Sequence, residues 1–151
     1  MPTTVKDREK VFNIGTNMSE QKNRIKLLIA DDHEDMLNDI RELLESEFEV
    51  VAAVGDGQAL ISAAEKLQHD VIVTDISMPR LNGIEAARRI LRSNPSSRII
   101  LMTVHNDAAL VEQGLSAGAL GYVLKLKADE ELPMAIHNAV QYKSFISAGI
   151  C

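Results

Sequence analysis

Four short runs of branched apolar residues, each closing on a side chain able to do chemistry, constrain this chain more than any other feature. Ile25-Lys26-Leu27-Leu28-Ile29-Ala30 ends in Asp31 and Asp32, Val71-Ile72-Val73-Thr74 in Asp75, Ile99-Ile100-Leu101-Met102 in Thr103, and Tyr122-Val123-Leu124 in Lys125. Runs this short and this continuously apolar suit strands buried on both faces of a parallel sheet. Helical stripes separate them. Met36, Leu37, Ile40, Leu43 and Leu44 recur at i, i+3, i+4 spacing after the acid pair. Glu49 to Val54 reads as a further strand closed by Gly55-Asp56-Gly57, and Ala59, Leu60, Ala63, Ala64 and Leu67 form the next stripe. Ile84, Ala87, Ile90 and Leu91 predict a third helix, which ends before the break Asn94-Pro95-Ser96-Ser97. A fourth, interrupted by Gly114, runs from about Asp107 to Ala117, and Leu132, Ala135, Ile136, Ala139 and Val140 mark a fifth, with Pro133 expected in or near its first turn.

Five β-α pairs with short loops imply right-handed crossovers onto one five-stranded parallel sheet. The expected architecture is a three-layer α/β sandwich over residues 25–147. Residues 1–24 are mostly polar and read as a flexible tail, and 148–151 as a short C-terminal end. The tail holds five basic and three acidic side chains, which leaves eleven basic against nineteen acidic in the remainder. So acidic a domain is unsuited to gripping nucleic acid through phosphate neutralisation, and aromatics at 3% offer few stacking platforms. No apolar stretch approaches the ~20 residues of a membrane span. The sole cysteine, Cys151, cannot form an internal disulfide, and a cytoplasmic location is expected.

In a parallel sheet the carboxyl ends of the strands open into one crevice. Three carboxylates, a hydroxyl and an ammonium should therefore converge there. Asp75 is the candidate nucleophile, since a carboxylate can accept a phosphoryl group as an aspartyl phosphate. Charge opposes that attack: each like-charge contact near 4 Å costs about 4 kcal/mol at an effective dielectric of 20. Asp31, Asp32 and Asp75 supply hard oxygen ligands suited to Mg²⁺, which would remove the obstacle. Lys125 adds a compact cation for the phosphoryl oxygens and Thr103 a hydrogen-bond donor. Taken singly, Asp31 could merely cap the following helix, Asp75 open a loop, and Thr103 and Lys125 end strands. Together those readings require four coincidences at one sheet edge. His33 and His105 are expected to rim the crevice, and His69 and His137 to lie on the surface.

The segments LLIADDHEDM, DVIVTDISMPRLNGIEAARRI, IILMTVHND and AGALGYVLK closely resemble the receiver domain of two-component response regulators. The 28-residue spacing from Asp75 to Thr103 and the 22-residue spacing from Thr103 to Lys125 agree with it. The resemblance implies a flavodoxin-like fold and a phosphoacceptor role for Asp75, supplied by a sensor histidine kinase or phosphotransfer protein. It implies Mg²⁺ held directly by Asp32 and Asp75, largely through water by Asp31, and by the Ser77 backbone carbonyl. Thr103 and Lys125 would bind the phosphoryl group, and Thr103 and Tyr122 would form a switch pair, with the ring turning inward as the hydroxyl moves. Ser77, Val104 and His105 flank the attack path and would set the dephosphorylation rate. Leu126 stands where many receivers have proline, which leaves the Lys125–Leu126 bond conformation open. DDHEDM, GYVLK and YKSFIS are similar to the LuxR-type (NarL-like) group, whose helix-turn-helix effector is expected to be absent here. The chain is then a stand-alone receiver or the N-terminal part of a regulator, forming a homodimer on phosphorylation and binding no nucleic acid or membrane itself. An aspartate-nucleophile phosphatase on a similar sheet is the alternative. Such enzymes place a second aspartate two residues after the nucleophile, and here Ser77 stands there.

Overall fold

The computed structural model describes residues 24–148. The expected N-terminal tail lies outside the described residues apart from Arg24, as do residues 149–151. The chain alternates β1 (Lys26–Ala30), α1 (Glu34–Glu45), β2 (Glu49–Val54), α2 (Gly57–Lys66), β3 (Val71–Asp75), α3 (Gly83–Ser93), β4 (Ile99–Thr103), α4 (Ala108–Ser116), β5 (Gly121–Leu124), α5 (Ala128–Val140) and β6 (Phe145–Ile146). All strands pair in parallel, in the order β2-β1-β3-β4-β5-β6.

Alternate residues of the central strands point to opposite faces, and both faces are apolar. Leu27, Ile29, Val71, Val73, Ile100, Met102 and Val123 pack with α1 and α5. Leu28, Ile72, Ile99, Leu101 and Tyr122 pack with α2, α3 and α4. A strand buried on both sides shows no polar alternation, which is why its sequence is a continuous apolar run. Three helices begin at a residue that caps them: Asp56 accepts from the Ala59 N–H, Asn82 from Glu85 and Asp107 from Ala109, each at 2.8 Å.

Two expectations need correction. The sheet has a sixth, two-residue strand. After α5 the chain turns through Tyr142, at φ 59°, and runs back along β5. There the Ser147 N–H donates to the Tyr122 carbonyl at 2.9 Å and Ser147 Oγ accepts from the Leu124 N–H at 2.9 Å. This covers an otherwise open sheet edge. Pro133 is not in the first turn of α5 but is the sixth residue of a helix that starts at Ala128. A 3-10 turn over Lys125–Lys127 leads directly into that helix and brings its start forward.

Candidate functional site at the carboxyl edge of the sheet

β1 and β3 are neighbours, yet the chain leaves β1 toward β2 on one side and passes through β3 to β4 on the other. The crevice opens where these directions diverge, at the carboxyl ends of both strands. Asp31 and Asp32 follow β1, Asp75 is the last residue of β3, Thr103 the last of β4, and Lys125 follows β5. Registers Ala30↔Thr74, Asp75↔Met102 and Thr103↔Leu124 bring these ends level with one another.

Lys125 joins the buried acids. Its side chain is 7% exposed, and Nζ lies 2.8 Å from Asp31 Oδ2 and 3.2 Å from Asp75 Oδ2. The Asp31 contact is at ion-pair distance, although Oδ2 is not aligned as a hydrogen-bond acceptor. Oδ1 of Asp31 accepts the His33 N–H at 2.9 Å. Asp31 therefore faces the crevice instead of capping α1, whose N-cap is His33. Asp32 is more open, with its side chain 28% exposed, and His33 Nδ1 stands 3.1 Å from its Oδ1. Asp31, Asp32, His33 and Asp75 each offer a ligand atom, all within 4.8 Å of one another. Three of those donors are carboxylate oxygens beside one ammonium, a set that fits a hard divalent cation.

Burial raises the Asp75 carboxyl above the usual aspartate value. The Asp31 charge adds to that, while the Lys125 ammonium and a hydrogen bond from the Ser77 backbone N–H oppose it. For Lys125, burial pulls downward, but the paired carboxylates of Asp31 and Asp75 outweigh it and hold the ammonium above the usual lysine value. A protonated lysine thus stays clamped across the two acids. The site keeps excess negative charge with a single fixed cation.

Thr103 is buried, and its Oγ1 accepts the His105 N–H at 3.0 Å, which leaves the hydroxyl proton free to point elsewhere. Val104 is 68% exposed, and Ser77 and His105 are also exposed around the rim. Tyr122 lies deeper than the rim residues. Its ring is buried in this structure, on the inner side expected for the switched arrangement. Gly114 backs onto the same region: a Cβ there would stand 2.6 Å from Leu101 Cδ1 and at an ordinary 3.5 Å from the ring. The glycine that weakens α4 as a helix thus makes room for Leu101, with the Tyr122 ring in ordinary contact beside it. Burial raises the Tyr122 phenol, the nearby Asp107 charge adds to this, and the Thr103 hydroxyl moderates it. The Lys125–Leu126 bond is trans. His137 is half exposed and lies 2.5 Å from Glu47, away from the crevice. Sequence reasoning passed over Thr74, whose hydroxyl donates to the Asp75 carbonyl at 3.0 Å. A β-branched residue within a strand carries no signal of that contact.

Residues 27–137 match the family described as the response regulator receiver domain. The chain is 36% identical over 133 residues to the transcriptional regulatory protein DegU of Brevibacillus brevis, covering 85% of this chain and 56% of that protein. It is 34% identical over 128 residues to the response regulator UvrY of Escherichia coli, covering 83% of this chain and 59% of that protein. The chain thus spans a little over half the length of these curated relatives. Among solved structures, it is similar to the non-phosphorylated receiver domain of the stress response regulator RcsB from Escherichia coli. There the TM-score is 0.76 at 36% identity, over 83% of this chain and 99% of that one. A LuxR family two-component response regulator from Aurantimonas gives a TM-score of 0.81 at 29% identity, over 85% of this chain and 93% of that one. The phosphatase alternative finds no support in these matches, and the Ser77 hydroxyl cannot replace a carboxylic acid as proton shuttle.

Proposed function

This chain belongs to the response regulator receiver domain family, and on that premise we propose that it is of the LuxR group and that Asp75 is its phosphoacceptor. Receiver domains are signalling domains. The observation that carries the residue assignment is Lys125 Nζ, 2.8 Å from Asp31 and 3.2 Å from Asp75 at three converging strand ends. An Asp75 carboxylate oxygen attacks the phosphorus of a phosphohistidine on a sensor histidine kinase or phosphotransfer protein. The new P–O bond forms as the P–N bond breaks, and its electron pair stays on the imidazole nitrogen, which takes up a proton. Lys125 and the Thr103 hydroxyl hold the phosphoryl oxygens.

Asp32, Asp75 and the Ser77 carbonyl would hold Mg²⁺ directly, and Asp31 through water. The ion supplies compensation for the negative charge gathered on transfer. Ser77, Val104 and His105 line the approach and set how fast water removes the phosphoryl group. The domain acts on no other substrate. Output runs through Thr103, whose oxygen accepts the His105 N–H and whose hydroxyl proton donates to the phosphoryl group, so the segment after Thr103 moves with it. Thr103 and the buried Tyr122 ring form the switch pair, and the segment after Thr103 shifts with them. That shift alters homodimer contacts. We place the chain in the cytoplasm, as a stand-alone receiver or as the receiver part of a transcriptional regulator. No described helix is long and apolar enough to cross a membrane.

Incubation with a small acyl-phosphate donor and Mg²⁺, followed by intact mass, tests the assignment. One phosphoryl group is expected on the unsubstituted chain and none on Asp75→Asn. Equal labelling of both would place the acceptor elsewhere.

A further inference from the structure

The segment 76–82 leaves directly from Asp75, connects β3 to α3 and carries Ser77, and its far end at Gly83 packs back on the Asp75 backbone. Its placement therefore decides what stands beside the nucleophile. Three contacts hold it. At its far end the Gly83 N–H donates to the Ile76 carbonyl at 2.8 Å, and a Cβ on Gly83 would stand 2.1 Å from the Asp75 carbonyl oxygen. In its middle, Arg80 adopts φ 67°, a left-handed conformation costly for any residue but glycine. Its guanidinium reaches Asp56 Oδ2 at 3.0 Å, while Oδ1 of the same Asp56 caps α2. Next to that pair, Gly57 backs onto the segment from the other loop. A Cβ there would stand 2.3 Å from the Leu81 carbonyl oxygen and 2.9 Å from Leu81 Cβ. Gly57 is the first residue of α2, so its own backbone would accept alanine. Only the opposing segment excludes a side chain.

We infer that Gly57, with the Asp56–Arg80 pair, is a positioning element for phosphoryl transfer, because the β2–α2 turn sets how far segment 76–82 stands from the Asp75 carboxylate. The inference rests on Asp75 being the phosphoacceptor. No rotamer change relieves a clash with a backbone oxygen. Ordinary contact begins at 3.4 Å, so with alanine at 57 the start of α2 and the Leu81 carbonyl must separate by about 1 Å, which segment 76–82 takes up in whole or part. Displacements of that size near reacting groups can lower rates up to about a hundred-fold, and a segment that yields along its length passes on part of it.

The test compares Gly57→Ala, Asp56→Asn and Arg80→Gly with the unsubstituted chain. Asparagine keeps the helix cap and removes the charge that holds Arg80. Glycine at 80 keeps the left-handed backbone without strain and removes the guanidinium. Amide exchange over residues 76–82, the labelling rate with an acyl-phosphate donor and Mg²⁺, and the urea midpoint are measured for each. Gly57→Ala should speed exchange in 76–82 and slow labelling about three- to ten-fold, and the other two should shift both in the same direction by about two- to five-fold. A lowered urea midpoint with unchanged labelling means a purely structural contact and overturns the inference. Unchanged exchange over 76–82 in all three variants also overturns it, whether or not labelling differs. Should the unsubstituted chain take no label while the variants still loosen 76–82, the phosphoacceptor assignment fails, and the positioning role falls with it.

Discussion

Replacing Lys125 by methionine removes the ammonium that lies between two buried carboxylates while keeping most of the side-chain volume. At 2.8 and 3.2 Å, its attractions to Asp31 and Asp75 are each about 5–6 kcal/mol at an effective dielectric of 20. Bringing three charges out of water offsets much of that, several kcal/mol per ion. The repulsion left behind is what dominates the variant. Carboxylate oxygens within 4.8 Å of one another repel by at least about 3.5 kcal/mol at the same dielectric. Lys125→Met should therefore lose about 3 kcal/mol of folding stability by urea denaturation at neutral pH without divalent ions, in the range for breaking a buried pair. Asp75→Asn in the same background removes one of the two charges and should restore about 2 kcal/mol, a coupling that a double-mutant cycle reads directly. If Lys125→Met were within 0.5 kcal/mol of the unsubstituted protein, or Asp75→Asn restored nothing, the electrostatic account of the crevice would be wrong.

Asp32→Ala should weaken Mg²⁺ binding several-fold or more in a direct titration, since a charged hard ligand is lost; unchanged affinity would remove Asp32 from the ligand set. Tyr122 should ionise above an ordinary tyrosine in an ultraviolet titration of Tyr142→Phe, which leaves it as the one tyrosine of the chain. Its folded-state value is raised, so its contribution to stability is complete below the unfolded value near ~10 and is lost as pH rises through the folded one. Titration at the free-tyrosine value would mean the ring is not seated. Gly114→Val should cost about 1–3 kcal/mol by driving side-chain atoms into Leu101 and the Tyr122 ring, more than the helix gains by losing glycine. A thermal melt with no loss would show that the ring has space to spare.

Most of the strands, and the order in which they carry chemistry, could be read from the sequence because their environment leaves a local signature. A strand covered on both faces must be apolar at every position, and the polar residue that ends it marks the edge where water begins. The acid pair, Asp75, Thr103 and Lys125 each follow such a run, and parallel topology alone brings those ends together. Helix periodicity was legible for the same reason, since it is settled within a few residues, whereas the caps at Asp56, Asn82 and Asp107 emerged with the structure.

Other features depend on groups far apart along the chain. Phe145–Ile146 is a strand only because β5 presents an open edge beside it. α5 starts at Ala128, ahead of Pro133, because the turn at Lys125–Lys127 feeds it from the end of β5. Gly114 is required by Leu101 on a neighbouring strand, whose Cδ1 would stand 2.6 Å from a Cβ there. Gly57 must be glycine on account of Leu81, 24 residues away, although its own helical backbone makes no such demand. Local composition thus determined which residues could enter strands, helices and the crevice. Only the packed tertiary structure decided which contacts exclude a single carbon atom, since steric exclusion acts through space and leaves no periodicity in the chain.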